Sequence, residues 1–236
     1  ALKSLDVSTK ELSPRAVMGR ISRYKGAGLR ATEFAEKHAR SSFGSRITAE
    51  VWKTYEKQLA QEKALDFDDL ITKPVRLLEE YPDILKKAQE RWRYIHIDEY
   101  QDTNELQGRL ASLLSGSHRN LFVVGDIDQT IYTWRGATIE NLLEFEKKYR
   151  DARTIVLERN YRSTKNLVDA ANGIIEQNKN RKEKRSTTEN PAGEPITIHA
   201  ALSAETEARW IARKAKALMR AGLAPAARWL LSVLML

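Results

Sequence analysis

Short apolar segments alternate with helix-like segments from residue 94 to residue 199. Parallel strands need crossover connections, which are usually helices, so this alternation is typical of a parallel sheet in an α/β protein. We therefore predict the α/β class, with a partial parallel sheet. The predicted strands lie at residues 94–97, 120–126, 154–157 and 196–199.

The region before these strands has the pattern of helices. Apolar residues recur three and four positions apart in segments 33–39 and 49–59, as the buried face of an amphipathic helix requires. Gly26 and Gly28 lie close together, and two glycines so near each other disfavour a continuous helix. We predict a helical subdomain over residues 1–63.

Composition restricts the class of partner. The 236 residues carry a formal net charge of +8, which favours a polyanion such as nucleic acid, although a merely soluble basic protein stays an alternative. The chain has no cysteine, so it has no disulfide or thiolate metal site, and this fits a cytoplasmic location. Its longest apolar run, residues 229–236, is far shorter than the roughly 20 residues that cross a bilayer, so we expect no membrane partner.

Two adjacent carboxylates, Asp98 and Glu99, follow the first predicted strand. Ligands of open α/β sheets bind outside the carboxyl ends of the strands. We expect Asp98 to bind Mg²⁺ and Glu99 to polarise the water that attacks a phosphate. Gln129 follows the second predicted strand, where its amide is expected to contact the γ-phosphate or that water. The alternative is that the carboxylates only solvate a loop.

Two aromatic residues and an arginine come shortly after Gln129. Tyr132 and Trp134 flank one residue, and Arg135 follows. Aromatic rings stack on the bases of single-stranded DNA for about 1–3 kcal/mol each, and arginine pairs with phosphate. We predict a DNA-binding site at these three residues. The alternative for one of the two rings is ordinary core packing.

Three blocks of sequence occur in a set order, and together they are specific. Residues 98–104, 124–137 and 157–163 resemble motifs II, III and IV of the UvrD/Rep-type superfamily 1 DNA helicases, and residues 64–70 resemble a further family motif. The resemblance implies RecA-like domains. Residues 1–63 would be a helical subdomain inserted in the first of them, residues 64–152 its C-terminal half, residues 153–220 the start of the second, and residues 221–236 an atypical apolar tail.

The resemblance also implies an activity, which is ATP-dependent 3′→5′ movement on single-stranded DNA with unwinding of partly duplex DNA. It implies ATP and Mg²⁺ as cofactors. It gives Asp98, Glu99 and Gln129 the roles described above. In similar helicases the residue matching Tyr161 stacks on adenine, and the one matching Arg162 reaches the γ-phosphate from the second domain.

The sequence departs from the family pattern in one respect. No Gly-x-x-x-x-Gly-Lys-[Ser/Thr] loop, which would cradle the phosphates, occurs in the 236 residues. We expect this loop and motifs V and VI in N- and C-terminal helicase portions outside the chain, and we expect the chain alone neither to hydrolyse ATP nor to unwind DNA. A truncated or frameshifted reading frame would explain the apolar residues 222–236; a small edge helix is the alternative.

Two competing functions remain open from the sequence. The first is a non-catalytic DNA-binding or interaction module derived from a helicase, which the missing phosphate loop would favour. The second is a metal-dependent nuclease that uses Asp98, Glu99 and Asp102. The nuclease ranks lower because its carboxylates are embedded in the helicase-like blocks.

Overall fold

The computed structural model describes residues 12–178 and 184–222. Contacts divide the chain into a first unit, Ala1–Val156 with Asn178–Glu183, and a second unit, Leu157–Gln177 with Lys184–Leu236. Apart from a turn at residues 221–222, the predicted apolar tail lies outside the described residues. The finer division into helicase domains stays a prediction.

Three helices form the start of the first unit: α1 (Pro14–Gly26), α2 (Ala31–Lys37) and α3 (Phe43–Gln61). The Ser13 hydroxyl caps α1 by accepting the Ala16 N–H at 3.2 Å, and Pro14 occupies the first turn, where its missing N–H costs nothing. The three helices bury a common core that includes Val17, Ile21, Phe34, Ala49, Val51 and Trp52. The predicted helical character is confirmed for the described residues 12–63, whereas the subdomain and its bounds stay a prediction.

A buried ion cluster joins these helices to the next one. Lys25 of α1 is 2% exposed, and its Nζ lies 2.8 Å from Glu56, 2.9 Å from Asp66 and 2.9 Å from Asp69. Burial alone would lower the pKa of Lys25, but hydrogen bonds to the three carboxylates outweigh it and raise that pKa. We refer to these four residues as the Lys25 cluster.

The Lys25 cluster is expected to make the helices less stable at alkaline pH. Burial and the negative charge of Asp66 raise the pKa of Tyr55, whose hydroxyl donates to Asp66 Oδ2 at 3.1 Å, to about 12. The pKa values of Tyr55 and Lys25 are both raised in the folded state. Their stabilisation is therefore complete below the unfolded values of about 10 and is lost as pH rises through the folded values.

We expect the urea midpoint of the chain to stay level from about pH 7 to 9 and to fall from about pH 10 to 12. The pKa of Asp66 is lowered because its hydrogen bonds to Lys25, the Asp69 N–H and Tyr55 outweigh the effect of burial, so a second loss is expected below about pH 4. Tyr55→Phe should shrink the alkaline loss and should only reduce the acid loss, because the hydrogen bonds of Asp66 to Lys25 and to the Asp69 N–H remain. An alkaline loss identical in Tyr55→Phe would contradict this assignment.

The sheet of the first unit follows the predicted strand–helix alternation. This part of the chain contains, in order, α4 (Asp69–Glu80), α5 (Pro82–Arg91), β1 (Ile95–Ile97), α6 (Glu105–Ser115) and β2 (Leu121–Val123). Strands β1 and β2 pair in parallel, with Ile95 opposite Leu121 and Ile97 opposite Val123, and α6 is the crossover between them. The α/β class and the first two strands are therefore confirmed.

The third and fourth predicted strands, residues 154–157 and 196–199, are wrong, because neither segment pairs as a strand. Leu157 is 82% exposed and Ile198 is 93% exposed. A strand exists only where a neighbour pairs its backbone, and among the described residues of the second unit the pairing is limited to one bridge, Arg159 with Thr187. Apolar β-branched sequence indicates a preference for a sheet but cannot supply the neighbour.

The remaining helices largely agree with the sequence. The sequence also predicts one helix over residues 140–149, but the structure has two short pieces there, α7 (Glu140–Leu143) and α8 (Phe145–Lys148). The second unit contains α9 (Lys165–Ile175) and α10 (Ala204–Arg220). Among the helices of residues 12–178 and 184–222, none has both the length and the apolar character required to cross a membrane.

Candidate functional site

The carboxyl edge of the two-stranded sheet brings the two predicted motifs together. Asp98 directly follows β1, and Gly125 and Asp126 lie just beyond β2. Backbone hydrogen bonds continue past the strands, because the Val124 N–H donates to the Ile97 carbonyl at 2.8 Å and the Tyr100 N–H donates to the Val124 carbonyl at 2.8 Å. The acidic pair is thus at a strand end, as predicted.

Asp98 and Glu99 are both exposed at this edge. The Asp98 Oδ1 accepts the Glu99 N–H at 2.9 Å. Glu99 adopts the left-handed backbone region, with φ of 50°, which few residues other than glycine adopt. The chain therefore turns sharply at Glu99, and this turn directs the two carboxylates outward at the end of the sheet.

A chain of hydrogen bonds connects Glu99 with Gln129. Gln101 Nε2 donates to Glu99 Oε2 at 2.7 Å, and Gln101 Oε1 accepts the Asp126 N–H at 2.9 Å. Asp126 Oδ2 in turn accepts Gln129 Nε2 at 2.8 Å. The structure thus joins two predicted site residues, Glu99 and Gln129. The connecting residues are Gln101 and Asp126, which the sequence did not single out. The only signal for Gln101 was its position between the acidic residues of the first block.

The acidic residues at this edge suit a shared magnesium site better than a complete metal cage. Within residues 12–178 and 184–222, no group of three or more histidine, aspartate or glutamate side chains is arranged to hold a metal ion. Mg²⁺ in nucleotide sites is held by one or two carboxylates together with phosphates and water, so an exposed Asp98 is a fitting ligand. Asp98, Glu99 and Asp102 do not form the metal cluster that the nuclease alternative needs.

Two of the predicted DNA-binding residues, Trp134 and Arg135, lie on a single turn of 3₁₀ helix, Thr133–Arg135, and Tyr132 directly precedes it. The turn ends at Gly136, which has a φ of 84°. Trp134 is 72% exposed, so core packing is excluded for this ring. Tyr132 is half-buried, and the two ring centroids are 6.3 Å apart with planes inclined at 48°. The Arg135 side chain lies outside the described part of the structure.

The second unit holds Tyr161 and Arg162 in a loop before α9. Asn160 Oδ1 accepts the Arg162 N–H at 2.9 Å and the Ser163 N–H at 2.8 Å, which fixes the turn. Asn190 Nδ2 donates to the Tyr161 carbonyl at 3.2 Å and to the Ser163 carbonyl at 2.9 Å. The loop is therefore held by Asn160, which lies within it, and by Asn190, which lies in the segment after α9.

The side chains of that loop are available to a ligand. The Tyr161 ring is 75% exposed, and the Arg159 guanidinium carbon lies 4.9 Å from its centroid. Arg162 is exposed and forms no ion pair with any described residue. It therefore does not have a purely structural role as the partner of a carboxylate on a described helix. An exposed aromatic ring followed by a free guanidinium can contact a base and a phosphate.

Comparison with known proteins adds an independent result. A family model described as the UvrD/REP helicase N-terminal domain matches residues 2–150, and one described as the UvrD-like helicase C-terminal domain matches residues 155–227. The ATP-dependent DNA helicase PcrA of Staphylococcus epidermidis is 45% identical over 221 residues, which are 94% of this chain and 30% of that protein. PcrA of Staphylococcus aureus is 45% identical over 213 residues, which are 90% of this chain and 29% of that protein.

Proposed function

The chain belongs to the UvrD/REP helicase family, and from this membership we propose that it is the central part of an ATP-dependent 3′→5′ DNA helicase. It spans about 30% of the length of the PcrA relatives, so the activity is proposed for a longer protein that contains it. The observation that carries the proposal is the hydrogen-bonded edge from Glu99 to Gln129, a few residues before the exposed Trp134. RecA-like domains and a cytoplasmic location are parts of the same proposal.

We propose the following roles at the nucleotide. Mg²⁺ would neutralise charge that develops on the phosphates of ATP. Asp98 would hold that ion, Glu99 would orient and deprotonate the attacking water, and Gln129 would contact the γ-phosphate or the water. Tyr161 would stack on the adenine, and Arg162 would contribute its forked donors to the γ-phosphate. The exposure of Asp98, Glu99, Tyr161 and Arg162 supports these roles.

The proposed DNA site consists of Tyr132, Trp134 and Arg135. We expect Trp134→Ala to weaken binding of the chain to a single-stranded oligonucleotide by about 5- to 150-fold, because stacking contributes about 1–3 kcal/mol per base. Fluorescence anisotropy with labelled oligo(dT) measures this loss. Binding should also weaken as salt rises, because phosphate contacts release counterions.

A second exposed tryptophan of the first unit provides a matched control. Trp92 is 48% exposed at the end of α5, and the guanidinium carbon of its neighbour Arg91 lies 5.4 Å from its ring. Trp92→Ala should leave oligonucleotide affinity within about twofold, the range expected for a surface change away from a site. Equal losses in the two variants would indicate that Trp134 is not a stacking site.

We also propose that the 236-residue chain by itself does not hydrolyse ATP. The sequence contains no Gly-x-x-x-x-Gly-Lys-[Ser/Thr] loop, whose backbone amides and lysine would hold the β- and γ-phosphates. DNA-stimulated release of phosphate by the purified chain would refute this part of the proposal. The alternative of a non-catalytic module derived from a helicase is not favoured by the family matches.

A further inference from the structure

Gln101 is a nearly completely buried polar side chain to which the proposed function assigns no role. It is 1% exposed, although it lies only two residues beyond the exposed Glu99. We propose that Gln101 is a positioning residue, which couples the orientation of Glu99 to that of Gln129 through Asp126. This inference rests on the proposed function, because it concerns the same nucleotide site.

The chemistry of its neighbours fixes the orientation of the Gln101 amide. The backbone N–H of Asp126 is a donor, so the group that faces it must be the Gln101 oxygen. The Glu99 carboxylate is an acceptor, so the group that faces it must be the Gln101 nitrogen. A rotated amide would place donor against donor and acceptor against acceptor. The planar amide of Gln101 therefore connects the ends of the two neighbouring strands in one orientation only.

The far end of the connection reaches Gln129 through Asp126. The Asp126 carboxylate accepts the Asp128 N–H at 3.0 Å with Oδ1 and the Gln129 side-chain amide at 2.8 Å with Oδ2. A shift of Gln101 would move the backbone of Asp126 and with it the acceptor that holds Gln129. The turn that carries Trp134 begins four residues after Gln129.

Gly125 provides the space that this connection needs. A Cβ atom at Gly125 would lie 2.7 Å from Gln101 Oε1 and 3.3 Å from the backbone nitrogen of Gln101. Any side chain at residue 125 would therefore displace the amide oxygen from the Asp126 N–H. The close approach shows that the second strand end is shaped around the Gln101 side chain.

Hydrogen exchange in this chain tests the geometry without any enzyme activity. Gln101→Met removes donor and acceptor, whereas Gln101→Glu keeps an acceptor for the Asp126 N–H and loses the donor to Glu99. We expect exchange of the Asp126 amide, followed by NMR, to become at least about tenfold faster in Gln101→Met and to rise less in Gln101→Glu, which keeps the acceptor but places a second carboxylate against Glu99. Unchanged exchange in Gln101→Met would overturn the proposal.

A matched control comes from the start of α6. The Gln107 side chain accepts the Asn104 N–H at 2.9 Å and so also caps a backbone amide in the first unit. Gln107→Met should leave exchange of the Asp126 amide at the rate of the unaltered chain. Faster exchange of that amide in Gln107→Met would mean that any loss of a glutamine loosens the region, and it would overturn the specific role of Gln101.

The kinetic arm uses the full-length helicase polypeptide that carries these residues. Both Gln101 variants are expected to lower kcat for ATP about 10- to 100-fold, as loss of a side chain that orients a catalytic carboxylate does, while KM for ATP stays within about threefold. Gln129→Ala combined with Gln101→Met should cost much less than the product of the two single effects, because both break one connection.

The outcomes separate the two proposals. Multiplicative effects of the two substitutions, or a rise in KM with unchanged kcat, would overturn the coupling role of Gln101. Absence of DNA-stimulated hydrolysis in the unaltered full-length polypeptide would instead refute the proposed function. In that case the exchange measurements on Asp126 would still decide whether Gln101 orients the second strand end.

Discussion

Replacing Lys25 with methionine is expected to destabilise the chain by about 3–5 kcal/mol, the usual cost of removing one partner from a buried ion cluster. The substitution keeps most of the side-chain volume but leaves Glu56, Asp66 and Asp69 without the ammonium group that lies 2.8–2.9 Å from each of them. Asp69 is itself 1% exposed, so water cannot replace the lost contact. Urea unfolding, followed by far-ultraviolet circular dichroism, measures the change.

Lys53→Met is the matched control, because this lysine forms an ion pair of similar length on the surface. Its Nζ lies 3.0 Å from Glu50, and the two side chains are 44% and 54% exposed. Exposed pairs contribute about 0–1 kcal/mol, so the unfolding free energy should change by no more than that. Similar losses in the two variants would show that the Lys25 cluster does not hold the helices together.

Glu99→Gln is expected to lower ATP hydrolysis by the full-length helicase polypeptide about 10²- to 10⁴-fold, the range for loss of a general base. The amide keeps the shape of the carboxylate and an oxygen that can accept the Gln101 amide, which donates to Glu99 at 2.7 Å. It cannot take a proton from water. Binding of a fluorescent ATP analogue should therefore remain close to that of the unaltered protein.

Glu105→Gln tests whether this effect is local to the strand end. Glu105 is an exposed carboxylate in the first turn of α6, six residues along the chain from Glu99. Its removal should change hydrolysis by less than about twofold, because surface substitutions away from a site have small effects. A full hydrolysis rate in Glu99→Gln would remove Glu99 from the proposed mechanism.

Local sequence was sufficient to predict the placement of the acidic pair. A short apolar segment followed by two carboxylates predicts a strand and the site at its end, and Asp98 and Glu99 do follow β1. The 72% exposure of Trp134 excludes core packing for its ring, whereas its contact with DNA stays a prediction. For the acidic pair the information lies within a few residues along the chain, so the pattern sufficed.

Residues whose role depends on distant contacts could not be predicted. Lys25 sits in a helix rich in basic residues and its sequence context indicates a solvated face, yet it is buried against Asp66, 41 positions along the chain. Gln101 is fixed by an amide 25 positions away. The failed strand at residues 154–157 has the same cause, because pairing depends on a neighbour that apolar composition does not specify.

The buried charges at the junction of α1, α3 and α4 have a consequence for divergence among related sequences. Exchange of Lys25 leaves three carboxylates without their shared cation, whereas joint replacement of a buried ion cluster by well-packed apolar residues is often neutral or stabilising. A change at position 25 is therefore expected to be accompanied by changes at positions 56, 66 and 69. Exposed positions such as Lys53 should drift independently.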